Sequence, residues 1–365
     1  MADTVYYNLT IGNNDPGTAG DMSYSAIPAT IDALNNIPII ENPQDYYCSL
    51  IRFQIPCQNL PLIEFLVQTP VLDINKGIYS FTISNGSENP TQEFVMFEPQ
   101  VLNLPPNQIP PLGTPLQTFT EYYLLYDYTW FIKLLNTALA ACASAVSISA
   151  PFFVYDAPTQ LITLYADKAS FGTGGTYKLW FNNALLNYFV GLESNNYSTT
   201  NSAPHGMDNL VGIRDNMLNT VSPTTSGIAY LTTSFQYSSY GYWNFLKSIL
   251  ITTTMNVNSE AVYSNNNSLY QNVQYANILT DFMPDLAQNM GAGIQNQIFT
   301  YNAPSLYRIF SFNQKTPLYR INLSVNLVDT YGNIFPLTLP KGQLCNFKLM
   351  FIKKDIYAAR GNFLH

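Results

Sequence analysis

The most regular hydrophobic pattern of the chain lies near its end, where apolar residues recur at every second position. These positions are Leu323, Val325 and Leu327, followed by Cys345, Phe347, Leu349 and Phe351. A period of two predicts half-buried strands. Between them, the segment 329–333 contains Gly332, which can supply the positive φ of a tight hairpin turn. Residues 317–354 are therefore predicted to form three strands joined by turns.

Strand patterns broken by turn residues dominate the rest of the chain as well. The predicted strands are 46–67 (two strands bent at Pro56 and Pro61), 78–83, 93–97, a hairpin of 152–155 and 161–165, 177–181, a strand pair over 242–257, 278–282, 298–301 and 307–312. Tyr122 to Ala143 is predicted to be a helix, because Trp130, Leu134, Leu135, Leu139 and Cys142 form one stripe. A shorter helical stretch is predicted over 183–190, and the proline-rich segment 99–116 is predicted to be a long loop.

This order of elements predicts an all-β protein built from two tandem eight-stranded jelly rolls, with one or two helices in the first half. The polar, turn-rich segment 1–45 is predicted to be an N-terminal arm. Residues 46–228 would form the first jelly roll with its loops and linker, and 229–354 the second. The boundary is placed inside the polar stretch 193–228, and 355–365 is predicted to be a C-terminal tail.

Composition favours a protein with large contact surfaces. Hydrophobic residues make up 47% of the 365 positions and charged residues only 10%, while Tyr and Phe number 27 and 22. Aromatic and amide side chains suit interfaces in which Lys and Glu would be costly to desolvate. The alternative is a soluble β-protein whose surface is simply rich in Asn.

Charge is unevenly distributed along the chain. The net charge is −8, but residues 1–226 hold six Lys and Arg against eighteen Asp and Glu, whereas residues 227–365 hold nine against five. The C-terminal excess comes from Lys341, Lys348, Lys353, Lys354 and Arg360. This cationic end predicts contact with an acidic neighbouring subunit or a polyanion, unless it is only a solvated terminus.

The residues that could carry chemistry are few and scattered. The two histidines, His205 and His365, have no clustered partners, and the nearness of Ser202 and Asp208 to His205 in sequence does not make a triad. The spacing of Cys48, Cys57, Cys142 and Cys345 predicts buried free thiols in a reducing compartment. No metal site, phosphate-binding loop or cofactor is predicted.

The two carboxylates of a glycosidase can be far apart in sequence, so spacing alone does not exclude such a pair. Asp127, Asp156 and Glu193 have no supporting context, and Asp281 and Asp285 are predicted to cap and turn a strand end. Trp130, Trp180 and Trp243 are predicted to pack in the core rather than to form a sugar-binding platform. The sequence thus predicts no enzyme and no small-molecule substrate.

Several segments resemble the capsid proteins of small tailless icosahedral DNA viruses, including virophage-like and Polinton-like elements. They are Tyr242-Trp243-Asn244, 278–282, Tyr307-Arg308, 329–342 and 348–354, with a vaguer likeness over 46–192 that includes the hairpin region 152–164. These motifs are strand and turn patterns.

The resemblance implies a double jelly-roll coat protein that assembles as pseudo-hexameric trimers into an icosahedral shell. It implies contacts with copies of itself and with neighbouring capsid proteins, and a weaker contact of the C-terminal tail with the genome or an inner membrane. The five C-terminal cations would lie at the inner face or between subunits. A vertex (penton) or minor capsid protein with a single jelly roll plus an insertion, and a receptor- or glycan-binding β-protein, are the alternatives.

The resemblance also implies a location in the virion after assembly inside the host cell. The N-terminal residues MADTVYYNLT lack the basic and apolar regions of a signal peptide. No apolar run reaches the roughly 18 residues of a membrane span.

Overall fold

The described part of the chain is dominated by β-strands. The computed structural model describes residues 3–13, 27–56, 60–68, 75–85, 91–98, 122–192, 194–195, 205, 208–213, 218–219, 228–238, 243–244, 246–258, 261–262, 276–284, 298–303, 308–330, 332, 334–339 and 342–361. The strands are β1 Thr4–Gly12, β2 Ile27–Pro28, β3 Thr30–Leu34, β4 Tyr46–Pro56, β5 Ile63–Leu66, β6 Lys76–Ser84, β7 Thr91–Met96, β8 Tyr122–Leu125, β9 Phe152–Asp156, β10 Leu161–Asp167, β11 Lys178–Phe181, β12 Ser194–Asn195, β13 Asn209–Val211, β14 Leu218–Asn219, β15 Tyr230–Ser234, β16 Leu246–Thr253, β17 Val257–Asn258, β18 Ala261–Val262, β19 Ala276–Phe282, β20 Ile298–Asn302, β21 Phe310–Phe312, β22 Arg320–Asp329, β23 Ile334–Pro336, β24 Thr338–Leu339 and β25 Leu344–Lys353. The α-helices are α1 Tyr128–Ala145, α2 Lys168–Phe171, α3 Asn183–Leu186 and α4 Lys354–Gly361, and Pro43–Asp45 and Asn187–Phe189 are 3₁₀ helices.

Eight strand positions from the two ends of the chain form one jelly roll. In chain order they are β1, β3, β4, β16, β19, the pair β20 and β21, β22 and β25. The first pairs with the eighth, the second with the seventh, the third with the sixth and the fourth with the fifth. Further pairing of β25 with β4 and of β22 with β16 closes two sheets. The eight strands thus form a long double-stranded ribbon that is wound into two facing sheets. This is the topology of an eight-stranded jelly roll.

The interior of the jelly roll is filled by the alternating positions that the sequence marks as apolar. Phe53 of β4 and Phe347 of β25 are fully buried, with ring centroids 5.2 Å apart. Leu323 and Val325 line the opposite sheet and are also buried. Burying each such side chain contributes about 1.5–3 kcal/mol. At the hairpin after β22, Gly332 adopts φ +85°, as the turn pattern predicts.

A second β-unit is inserted between the third and fourth jelly-roll positions, from the end of β4 to the start of β16. Its sheets have the orders β12-β13-β11-β6-β7, β14-β15-β10-β9 and β5-β8. Helix α1 packs against β6, β7 and β9, burying Phe131, Leu135 and Leu139. Asp127 caps the helix by accepting a hydrogen bond from the Thr129 N–H at 2.8 Å.

Trp243 lies just before β16, where the chain leads from the inserted unit back into the jelly roll, and its side chain packs in the core of the inserted unit. Its indole N–H donates to the Tyr188 carbonyl at 2.6 Å, and its ring contacts those of Tyr128, Phe131 and Phe189. Trp243 is 1% exposed. The connection back into the jelly roll is therefore fixed by packing and by a hydrogen bond.

The strand pairing corrects the predicted tandem arrangement. Residues 1–45 are not an extended arm throughout, because β1 and β3 are integral strands of the two jelly-roll sheets. The predicted halves 46–228 and 229–354 cut across the sheets, because β4 pairs with β25 and the inserted unit lies within the jelly roll. A period of two identifies a strand and its buried face, but it carries no information about the partner strand.

Smaller corrections concern the helix and the tail. The predicted helix over 122–143 begins only at Tyr128, since Tyr122–Leu125 pairs with Ile63–Leu66 as a strand. The predicted tail begins with helix α4, and the predicted loop 99–116 lies outside the described residues. No helix in the described ranges is long and apolar enough to cross a membrane.

Candidate assembly surface

The outward face of the sheet formed by β1, β25, β4 and β20 is polar, and the residues of these four strands include no Asp or Glu. One cross-strand row consists of Asn8, Lys348, Arg52 and Asn302. The next consists of Thr10, Asn346, Gln54 and Thr300, in which Thr10 donates to Asn346 at 2.8 Å and Gln54 to Thr300 at 3.3 Å. Hydroxyl and amide groups can exchange water for a protein partner at low desolvation cost.

Two cations occupy the centre of this face, which we call the acid-free face. Lys348 and Arg52 lie directly opposite each other on neighbouring strands. The Lys348 ammonium also lies 4.8 Å from the ring centroid of Tyr6, which is 52% exposed. None of the strands β1, β4, β20, β21 and β25 contains Asp or Glu, although the chain has 23 such residues. The face therefore combines aromatic, guanidinium and ammonium groups, and the strands that form it supply no counter-charge.

The C-terminal cations lie at one end of the same sheet. Lys353 donates to the Asp3 carboxylate at 3.2 Å, which holds the pKa of Lys353 above its ordinary value. Lys354, at the start of α4, lies 5.2 Å from the ring of Tyr47, and Tyr357 packs edge-on against that ring at 5.3 Å. These contacts dock the first turn of α4 onto the sheet.

Of the five cations that the sequence singles out, the structure brings three to this sheet and its end: Lys348, Lys353 and Lys354. Lys341 and the side chain of Arg360 lie outside the described residues. Sequence reasoning missed Arg52 and Tyr6. The signal was present in the alternation of Val5, Tyr7, Leu9 and Ile11, which places Tyr6 on the outward face of a strand.

A separate apolar patch lies at the edge of the other jelly-roll sheet. Leu34 at the end of β3 and Ile37 after it are 73% and 78% exposed, and Tyr319 lies beside them through the hydrogen bond from the Asn35 N–H to its carbonyl. The Arg320 guanidinium pairs with both carboxylate oxygens of Asp32 next to the patch. The pair lowers the pKa of Asp32 and raises that of Arg320.

The junction between the jelly roll and the inserted unit holds a half-exposed carboxyl group beside a buried one. Burial, and secondarily the charge of Asp329, raises the pKa of Glu64 to about 7. Asp329 ends β22 of the jelly roll and is 2% exposed, whereas Glu64 lies on β5 of the inserted unit. The Glu64 carbonyl accepts hydrogen bonds from Tyr188 at 2.7 Å and from Tyr79 at 3.5 Å.

The candidate catalytic residues have structural roles where they are described. Asp127 caps α1, Asp156 accepts a hydrogen bond from Thr159, and Asp208 is buried and accepts one from Thr82 at 2.9 Å. His205 is exposed in a turn, and Asp281 pairs with Arg308. Ser202, Glu193, Asp285 and His365 lie outside the described residues.

The tryptophans and cysteines largely follow the prediction of core positions. Trp180 and Trp243 are buried, and Trp180 donates to Ser84 at 2.8 Å. Trp130 is only half-buried, and it donates to the Glu98 carbonyl while Lys133 covers its ring.

The thiols of Cys48, Cys142 and Cys345 are free and buried, and burial raises the pKa of each, to about 12 for Cys142 and Cys345. Cys57 is not among the described residues. The described positions contain no group of three or more His, Cys, Asp or Glu side chains that could hold a metal ion.

Comparison with known sequences identifies relatives among virion proteins. The profile of a family described as Sputnik minor capsid protein V18/19 matches residues 5–353. "Uncharacterized protein V18" of Sputnik virophage is 37% identical over 159 residues, which cover 41% of this chain and 91% of V18. "Structural protein V19" of the same virophage is 25% identical over 211 residues, which cover 56% of this chain and 94% of V19.

Comparison with solved structures extends the likeness over nearly the whole chain. A chain of the 3.5 Å cryo-EM structure of the Sputnik virophage superposes with a TM-score of 0.72 and 29% identity, covering 98% of this chain and 99% of that one. The crystal structure of the mavirus penton protein superposes with a TM-score of 0.57 and 16% identity, covering 96% and 100%. At that identity the second likeness concerns the fold alone.

Proposed function

Because the chain belongs to the Sputnik minor capsid protein V18/19 family, we propose that it forms the fivefold vertices of an icosahedral shell. It is a viral capsid protein of the virion, and its homologues are structural proteins. The proposal concerns the position of the chain in the shell. It assigns the chain to the vertex, whereas the resemblance described above implies a major coat protein.

The observation that carries this proposal is the nested topology. A double jelly-roll chain supplies two barrels, so that a trimer has the six-barrel outline that fits a hexagonal lattice position. This chain supplies one jelly roll with a second β-unit inserted between β4 and β16. One barrel per chain suits a ring of five, the symmetry that an icosahedral vertex imposes. The resemblance in fold to a protein named as a penton supports the same position.

In such a ring the jelly rolls would contact one another and the adjoining major coat proteins. The acid-free face and the lysines at its end would lie at contacts between subunits. A contact of the C-terminal segment with the genome or an inner membrane is the weaker alternative, because Lys353 and Lys354 already have partners within the chain.

Native mass spectrometry of the purified protein, followed by electron microscopy of the complexes, tests the proposal. A mass of five chains and fivefold class averages are expected. A stable trimer with a pseudo-hexagonal outline would overturn the vertex assignment and restore the major coat protein. A monomer at all concentrations, in the presence and absence of major coat protein, would overturn assembly through this chain altogether.

A further inference from the structure

We propose that the acid-free face binds the acidic inserted unit of a neighbouring copy of this chain. The proposal rests on the assembly proposed above and adds to it the two surfaces that meet. The centre of the acid-free face is formed by Arg52, Lys348 and Tyr6. The hydroxyl and amide rows of the same sheet surround this centre.

The first argument is the unbalanced charge within the subunit. Like charges directly opposite each other on neighbouring strands are destabilising. Arg52 and Lys348 are placed in this way, and neither has an ion-pair partner within the described part of the chain. By contrast, Arg320, Arg308 and Lys353 each have an internal carboxylate partner. An external carboxylate would remove the repulsion.

The second argument is the location of the negative charge. Residues 57–241, which contain the inserted unit, hold twelve Asp and Glu against five Lys and Arg, whereas the remainder holds eleven against ten. A net charge of −8 makes random contacts between copies repulsive. An acid-free face on one copy against an acidic unit on the next is the arrangement in which this repulsion becomes attraction.

The third argument is the chemistry of the face. Tyr and Arg are enriched at the centres of protein interfaces, and Asp and Glu are depleted there. The face follows this pattern with Tyr6 and Arg52. Two cations are too few to neutralise a phosphate backbone, so the arrangement favours a protein partner over nucleic acid. Contact between unlike surfaces of identical chains is heterologous and can close into a ring.

The test compares two double charge reversals of equal size. Arg52→Glu with Lys348→Glu reverses the face, and Lys168→Glu with Lys178→Glu reverses two exposed lysines of the inserted unit. The face variant should raise the assembly midpoint concentration at least about tenfold, because its two glutamates would repel the acidic unit that the wild-type cations are proposed to attract. The control variant should assemble as well as wild type or better, since it makes the proposed partner more acidic. Mass photometry across a concentration series measures both, and circular dichroism checks the folding of each variant.

Three outcomes would overturn the inference while leaving the vertex proposal intact. If the wild type forms oligomers and the face variant assembles equally well, the acid-free face is not part of the contact. If both variants assemble equally less well than wild type, the effect is caused by net charge and not by this face. Unchanged assembly, together with loss of wild-type binding to a fluorescent DNA duplex in the face variant, would assign the face to nucleic acid. A wild-type chain that never assembles would overturn the vertex proposal itself.

Discussion

The carboxyl group of Glu64 should make the stability of this protein fall as pH rises through neutrality. Burial and the Asp329 charge raise its pKa from 4.5 to about 7 in the folded protein. The folded state therefore holds a proton that the unfolded chain releases between about pH 4.5 and 7. The contribution of Glu64 to stability is fully present below pH 4.5 and is lost as pH rises through about 7. Substituting Glu64→Gln mimics the protonated form and should remove this dependence.

The magnitude follows from the shift of the pKa. The rise of the pKa from 4.5 to about 7, at about 1.36 kcal/mol for each step of one in pKa, gives an upper limit of about 3.4 kcal/mol. The Glu64 side chain is only partly buried, so solvent screening reduces this figure to about 1–2 kcal/mol. Above pH 7.5 the Glu64→Gln protein should be more stable than wild type by that amount. The difference should shrink as pH falls, and at or below about pH 4 the two proteins should be equally stable.

Urea unfolding at pH 4, 5, 6, 7 and 8, followed by tryptophan fluorescence, measures the difference between the two proteins. Other carboxylates and lysines titrate in both proteins, so their contributions to the free energy of unfolding cancel in the difference. Glu98→Gln is the matched control, because Glu98 is an exposed glutamate paired with Lys133 at the surface. That variant should follow wild type to within about 0.5 kcal/mol at every pH. A gap between Glu64→Gln and wild type that stays constant with pH would refute the reasoning.

Three further predictions concern packing and thiol reactivity. Trp243→Ala should destabilise the protein by about 3–5 kcal/mol and Trp243→Phe by about 1–2 kcal/mol in urea unfolding, and equal losses would mean that the indole is not buried in the core. Gly77→Ala should lower the free energy of unfolding by about 1–3 kcal/mol, since its Cβ would lie 2.6 Å from the Phe65 ring; an unchanged melting temperature would contradict this contact. Cys142 and Cys345 should react with an aromatic disulfide reagent only when the chain unfolds, because burial raises the pKa of both; rapid labelling of the native protein, located by peptide mapping, would contradict their burial.

The sequence predicts the strands of this protein far better than their pairing. The hairpin over 152–165, the strand over 177–181 and the closing strands are where the periodicity of two and the turn residues indicate. Each of these signals is local, since it depends on side chains a few residues apart. The pairing of Thr4 with Ile352 joins positions nearly a full chain length apart, and no local pattern encodes it.

The same limit explains the errors at the helix and at the assembly surface. In Tyr122–Leu125 the apolar residues suit a strand or a helix equally, and the partner strand β5 decides between them. Lys348 could be identified as a candidate contact residue from its charge alone. Arg52 could not, because its significance depends on β4 lying beside β25, which places the two cations opposite each other.

The nesting of one unit inside the other has a physical consequence for assembly. The entropy of closing a loop grows only slowly with its length, so the jelly roll can accept a folded insertion between β4 and β16 at small cost. Both ends of the insertion are held, by β5 near Glu64 and by Trp243 in its core. The jelly roll, whose charges nearly balance, can then pack closely in a shell, because it carries little of the net charge that the insertion concentrates. The proposed attraction between unlike parts of identical chains would then follow from the position of one insertion in the chain.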